Sequence, residues 1–292
     1  MKKIIIFMLA AALISGCKKN QDKKQNLNQN IQSFEHNGIE REYLTFVPST
    51  YSDSSSVPLV LNFHGFGGNI SEYSSYASME ALAELENFIL VYPQGTQMNG
   101  YSHWNPSLPS TTNKSSADDL GFIDALIQKL ALDYSLDLTR VYACGYSNGG
   151  MMSYGIAHHK SDLIAAVASI SGAMLDEETP PTHPMPVLII HGTSDNVIPY
   201  NGNGDYNSVG ATVNYWKNFN NIDSLTNTNN ILNGGVSIQY ESYGIGDNGV
   251  SVELYKINQG GHQWFNLNYE GQNTGELIWS FFSKYNIDGL VE

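Results

Sequence analysis

The 292-residue chain predicts an α/β domain built on a mostly parallel, doubly wound sheet with helices on both faces. Three observations carry this expectation. Short apolar runs rich in Val, Ile and Leu alternate with segments of helical period. Four glycine-marked stretches follow such runs, at residues 64–68, 145–149, 191–195 and 260–264. In open α/β sheets the chemistry gathers at the carboxyl ends of strands. The third observation is length, since the ~260 residues from Phe34 onward suit one large domain.

The elements follow in order. Residues 40–48 alternate well enough for an early strand, and residues 51–56 make a polar, hairpin-like connection. Residues 58–63 read as a buried strand that ends in His64-Gly65-Phe66-Gly67-Gly68. Residues 73–86 read as one helix turning Met79, Leu82, Ala83 and Leu85 toward the sheet. Residues 88–92 form the next buried strand, stopped by Pro93. Residues 94–117 are expected to form a long loop around His103-Trp104-Asn105-Pro106, and a loop of that length in a compact domain is usually functional. Residues 118–134 give the clearest helix, with Leu120, Ile123, Leu126, Ile127, Leu130 and Tyr134 at helical spacing. Asp118 and Asp119 open that helix. Capping and the helix dipole are the expected roles for the two carboxylates, rather than a metal site.

Residues 141–144 form a strand that runs into Gly145-Tyr146-Ser147-Asn148-Gly149 and then a helix to about residue 159. Strands follow at 164–170 and 186–190, the second leading to His191-Gly192-Thr193-Ser194-Asp195. Residues 211–219 are a helix. Strands at 236–243 and 250–257 precede Gly260-Gly261-His262-Gln263-Trp264. An amphipathic helix over 275–285 closes the chain, with Leu277, Ile278 and Phe281 inward.

The G-x-S-x-G turn suggests chemistry. A strand reversing straight into a helix presses backbone against backbone, so side chains at Gly145 and Gly149 would collide. Such a turn holds its serine in a strained conformation with the hydroxyl exposed. A serine hydroxyl is a poor nucleophile at neutral pH and needs a base, which in turn needs an orienting acid. Ser147, Asp195 and His262 supply these groups, each on a loop after a strand and in the chain order of α/β-hydrolases. Asp247 is a competing acid, but it sits in a turn between two strands. His64, His103 and His191 compete as base; His64 and His191 each precede a glycine at a strand end and are expected to brace loops. Oxyanion donors are expected from the N–H groups of Phe66 and Asn148.

His64-Gly65-Phe66-Gly67-Gly68, Tyr92-Pro93-Gln94-Gly95, Trp104-Asn105, Asp118-Asp119-Leu120-Gly121-Phe122, Gly145-Tyr146-Ser147-Asn148-Gly149-Gly150, His191-Gly192-Thr193-Ser194-Asp195 and Gly260-Gly261-His262-Gln263-Trp264 occur in that order. Together they resemble the polyhydroxybutyrate-depolymerase-like esterases, which include feruloyl and acetylxylan esterases. The resemblance covers nearly the whole domain. It implies an α/β-hydrolase fold and a triad of Ser147, Asp195 and His262. It also implies cleavage of carboxylic esters, often on polymers, without metal or cofactor. Trp104, Trp264 and Tyr146 are then expected to line the substrate cleft. Many members carry Cys in the oxyanion loop where this chain has Phe66. No attached polymer-binding module is expected, and on that expectation soluble oligomers, feruloyl or acetyl esters of polysaccharides, or short-chain esters are favoured over crystalline polyester.

Charge and termini set the remaining expectations. The formal net charge is −14, and from Phe34 onward 8 basic face 27 acidic residues, a net of −19. That balance argues against nucleic acid or an anionic surface as partner. Lys2 and Lys3 precede a short apolar run, and Ser15-Gly16-Cys17 resembles the lipobox of bacterial lipoproteins. Residues 1–16 are therefore expected to be a signal peptide, Cys17 a lipidated residue, and residues 17–33 a tether with an r.m.s. span on the order of 20–25 Å. An ordinary secretory signal is the alternative, and export follows either way. With Cys17 lipidated, Cys144 stands alone as a buried strand residue, so no intrachain disulfide is expected. The catalytic domain, 34–292, is expected to be monomeric. A catalytically inactive glycan- or polymer-binding lipoprotein, and a peptidase or acyltransferase using the same triad, remain open.

Overall fold

A computed structural model describes residues 31–291 apart from 109, 112, 176–178 and 234. Ten strands form one sheet. In chain order they are β1 (Ile31–His36), β2 (Ile39–Phe46), β3 (Val57–Phe63), β4 (Ile89–Pro93), β7 (Leu136–Tyr146), β8 (Ala166–Ile170), β9 (Val187–Gly192), β10 (Leu225–Asn233), β11 (Val236–Tyr243) and β12 (Val252–Ile257). A short separate hairpin pairs β5 (Thr96–Met98) with β6 (Tyr101–His103). The sheet order is β1-β2-β4-β3-β7-β8-β9-β12-β11-β10. The six strands from β4 to β12 pair in parallel, and the flanking pairs at each edge are antiparallel.

The central strands are buried on both faces, which is why they read as continuous apolar runs rather than alternating ones. In β3, Leu59, Leu61 and Phe63 pack with α3 (Asp119–Asp133), α4 (Asn148–His159) and α5 (Val209–Phe219). Val60, between them, faces α1 (Ile70–Tyr76), α2 (Glu80–Glu86) and α6 (Thr274–Phe282). Helices thus cover both faces of a largely parallel sheet, the architecture expected from the sequence. Among the described residues, no helix is long and apolar enough to cross a membrane.

Several boundaries differ from expectation. Ile31, Gln32 and Ser33, assigned to the tether, pair with Leu44, Tyr43 and Glu42 in β1, so the fold begins before Phe34. The single helix over 73–86 is two, α1 and α2, broken around Ala77–Met79, and Leu85 is 76% exposed rather than turned to the sheet. Residues 94–117 contain the β5–β6 hairpin. Asp118 is the N-cap of α3 and accepts from Gly121 N–H at 2.9 Å, whereas Asp119 is buried. Strand β10 was not anticipated.

The crossing of β7 into α4 leaves no space for side chains at its glycines. A Cβ on Gly145 would lie 2.5 Å from the Gly149 carbonyl carbon, and one on Gly149 would overlap the Phe63 carbonyl. These obstacles are backbone atoms of β3 and of the first turn of α4 and cannot swing aside. Gly149→Ala is therefore expected to lower stability by about 3 kcal/mol. Urea denaturation checks this; a variant with the wild-type midpoint would show that the turn can relax.

Candidate active site

Ser147 sits at the apex of the turn, with φ 56° and ψ −118°, and is 9% exposed. Few non-glycine residues adopt such a conformation, and it persists only where surrounding structure imposes it. Here the Ser147 N–H donates to Ile170 O at 2.8 Å, and Ser147 O accepts from Met151 N–H at 3.0 Å. The hydroxyl is left to point out of the sheet edge.

His262 follows β12, and Asp195 follows β9. The Ser147 hydroxyl and His262 Nε2 are 2.9 Å apart, and His262 Nδ1 lies 2.8 Å from Asp195 Oδ2. Asp195 Oδ1 accepts from the N–H groups of Val197 and Ile198, at 2.9 and 2.8 Å. Burial alone pushes the Asp195 carboxyl up. Hydrogen bonds from His191, His262 and the Ile198 and Val197 amides outweigh it and hold the group at about 2, against an ordinary 3.8. A carboxylate that stays ionised keeps its partner nitrogen, His262 Nδ1, protonated. That leaves Nε2 as the acceptor facing the serine.

The loop after β3 crosses directly over the serine. A Cβ on Gly65 would lie 3.4 Å from Ser147 Cβ and 3.0 Å from the Tyr146 ring. Gly67 N–H donates to Ser102 O and Gly68 N–H to Gly65 O. Among the described residues no acceptor takes the Phe66 N–H. Phe66's ring is 53% exposed and stacks on Tyr101 at 5.5 Å. His64 is buried and braces this loop. Its Nε2 accepts from Gly95 N–H at 3.0 Å, so Nδ1 carries the proton and donates to Gly65 O at 2.7 Å. Burial lowers His64 to about 4, which keeps it neutral and unsuited to act as the base.

Asn148 reaches across to the same loop system. Its Oδ1 accepts from Trp104 N–H at 2.7 Å, and its Nδ2 donates to Trp104 O at 3.0 Å. Trp104 Nε1 then donates to His64 O at 3.0 Å. The expectation that Trp104 lines the cleft is corrected: the residue is 2% exposed, and its indole is held beneath the loop after β3. Polar neighbours in the sequence concealed a side chain whose one polar atom has a buried partner. Releasing this brace by Asn148→Ala is expected to lower kcat about tenfold and stability by about 1–3 kcal/mol, because Trp104's backbone groups lose their partner. Steady-state kinetics with thermal melting reads both; unchanged kcat would show that the brace does not position the loop.

Tyr146 is half-buried, donates its hydroxyl to His262 O at 3.2 Å and tilts against the His262 ring at 5.2 Å. Trp264 is half-buried and meets Tyr73 edge-on at 6.1 Å. Asp247 is remote, accepting from Asn221 in a surface turn. His103 is buried, with Nδ1 3.0 Å from Thr96 O. Cys17 lies outside the described residues.

Two roles differ from expectation, since His191 was expected only to brace a loop and Asp119 only to serve the start of α3. His191, 1% exposed, places Nε2 3.4 Å from Asp195 Oδ2 and 2.9 Å from Ile198 O, making it a second imidazole on the acid. Arg41 and Asp119 form a buried ion pair at 2.7 Å. The other oxygen of Asp119 accepts from Asn105 N–H, and Arg41 also donates to Gln94 O, so the pair pins both ends of the 94–105 segment. The only local signal was two adjacent aspartates. Among the described residues no group of three or more His, Cys, Asp or Glu could hold a metal ion.

Residues 50–227 match the family described as phospholipase/carboxylesterase. The chain belongs to that family. The chain is 28% identical over 257 residues to a bifunctional acetylxylan esterase/xylanase of Neocallimastix patriciarum, covering 87% of this chain and 35% of that protein. It is 28% identical over 259 residues to feruloyl esterase B of Piromyces equi, covering 85% and 46%. The chain thus spans less than half the length of these relatives. Among solved structures, an acetyl xylan esterase from Aspergillus awamori superposes with a TM-score of 0.63 at 16% identity, covering 87% of this chain and 98% of that one. The Bacillus cereus carboxylesterase gives 0.55 at 15% identity, covering 84% and 94%. At such identities the likeness is one of fold, the α/β-hydrolase fold.

Proposed function

We propose that the protein is a serine esterase that hydrolyses carboxylic esters through an acyl-enzyme. The unbroken relay from Ser147 Oγ through His262 to Asp195 carries this reading. His262 Nε2 takes the serine proton as Oγ attacks the ester carbonyl. The tetrahedral oxyanion is held by the N–H groups of Phe66 and Asn148. His262 then gives its proton to the departing alcohol, and water reverses the sequence to release the acid. Asp195 stabilises the imidazolium throughout. The names of the relatives favour acetyl or feruloyl esters of polysaccharides, with hydroxybutyrate oligomers and short-chain esters as further candidates. A fluorophosphonate probe tests the assignment. It is expected to label Ser147 in the folded protein, and folded protein that resists labelling and turns over no ester would favour a binding role on the same scaffold.

The protein is further proposed to be an exported lipoprotein, a domain held off the envelope by the Cys17 anchor and its polar tether, with no nucleic-acid partner. Cys17→Ser is expected to move the protein from the detergent phase to the aqueous phase in cell fractionation. Unchanged partitioning would count against lipidation.

A further inference from the structure

Ser147, His262 and Asp195 come from three separate segments, and the short stretch Ile170–Ser171, at the end of β8, touches all three. Ile170 O accepts the Ser147 N–H at 2.8 Å, and the Ser171 N–H donates at 2.9 Å to Ile190 O in β9, the strand that leads to Asp195. The Ser171 hydroxyl donates to Gln263 O at 3.1 Å, in the loop that carries His262. Ser171 is fully buried, and its φ of 52° lies in the left-handed region. Glycine adopts that conformation freely, whereas a serine there is strained and persists only where its surroundings impose it. A side chain thus stands where glycine would sit more easily, and its hydroxyl reaches the loop of the base.

We propose that Ser171 is a positioning residue for the reaction: its buried hydroxyl holds the peptide after His262 and so keeps Nε2 facing the Ser147 hydroxyl, an inference that rests on the esterase reading of Ser147. The loop has little else to fix it. Gly260 is tied at both ends, donating to Ile257 O and accepting from Ser194 N–H. Among the described residues, the backbone of residues 261–264 makes no hydrogen bond to another backbone group. A Cβ on Gly261 would meet nothing within 4 Å, so crowding does not confine the chain just ahead of the histidine either. Two hydroxyls take the place of those contacts. Tyr146 donates to His262 O at 3.2 Å, and Ser171 donates to Gln263 O. Tyr146 is half-buried, whereas the Ser171 bond is closed off from water, where a hydrogen bond is electrostatically stronger. The relay tolerates little displacement. Ser147 Oγ and His262 Nε2 are 2.9 Å apart on segments 115 residues apart in the chain. A misplacement of about 1 Å at a reacting group can cost on the order of 100-fold in rate.

Ser171→Ala isolates the hydroxyl, since alanine keeps Cβ and meets the same backbone strain. It is expected to lower kcat on p-nitrophenyl butyrate about tenfold while KM stays within about twofold of wild type. Fluorophosphonate labelling of Ser147 is expected to slow by the same factor, because both reactions draw on His262 as base. Ser171→Gly removes the same hydroxyl and relieves the strain at φ 52°. Its kcat and labelling rate are expected to fall as in the alanine variant, whichever way its Tm moves, so rate and stability part company. Rates within about twofold of wild type in either folded variant overturn the proposal, as does a rate loss that follows Tm across the two or that comes through KM. Wild-type protein that neither labels nor turns over ester strikes the esterase reading and this inference with it. Wild-type protein that does both leaves that reading standing whatever the variants give.

Discussion

Ser147→Ala is expected to lower kcat on p-nitrophenyl butyrate by on the order of 10⁴ to 10⁶ while leaving the melting temperature near that of the wild type. The separation of the two effects follows from the local structure. Alanine keeps the Cβ of Ser147, so it adds no new clash at φ 56° and meets the same backbone strain as serine. The hydroxyl that is removed has one side-chain partner, His262 Nε2, and the backbone bonds to Ile170 and Met151 are retained. The fold therefore loses one hydrogen bond at a partly open site. The reaction loses its nucleophile, and only water poised by His262 and the oxyanion donors is left to attack the ester. A variant that keeps more than about one per cent of wild-type turnover would place the attacking group elsewhere.

The sequence made the triad legible because its three residues share one physical constraint. Each needs a rigid base and a free side chain, and the end of a buried parallel strand supplies both. The apolar runs locate the strands, and the turn residues locate their ends. What it hid was decided by contacts distant in the chain. Asp118 and Asp119 look equivalent as neighbours, yet one caps a helix while the other pairs with Arg41, 78 residues away. Trp104 sits among polar residues, and its burial depends on Asn148, 44 positions on. Strand β10 was missed for another reason. Its residues, LTNTNNILN, are mostly polar, and at the sheet edge it is held by backbone bonds to β11 rather than by a buried face. Leu232 in it is 75% exposed. The break between α1 and α2 likewise has no local helix stopper such as proline or glycine; Ala77 and Met79 are buried together against Asn62 and Tyr92.

Asp195→Asn is expected to lower kcat by on the order of 10³ to 10⁴, through the tautomer of a histidine rather than through any loss of structure. The environment dictates how the amide must lie. Val197 and Ile198 present two N–H donors to the Oδ1 position, so the asparagine oxygen must take that side. Its NH₂ then occupies the Oδ2 position, facing His262 Nδ1 and His191 Nε2. A donor there requires His262 Nδ1 to accept, which moves the ring proton to Nε2. That nitrogen then points a hydrogen at Ser147 and cannot take the serine proton. The same substitution changes the pH dependence of stability, and the sign follows from the lowered carboxyl. In the wild type, the folded group titrates at about 2 and the unfolded group near its ordinary 3.8. Its stabilisation, about 2 kcal/mol, is complete above the unfolded value and is lost as pH falls through the folded one. Asparagine does not titrate. Urea midpoints for the two proteins between pH 6 and pH 2.5 are therefore expected to show the Asp195-linked difference shrinking only below about pH 4. A constant difference across that range would mean that the His191, His262 and amide contacts do not hold the carboxylate in its charged form.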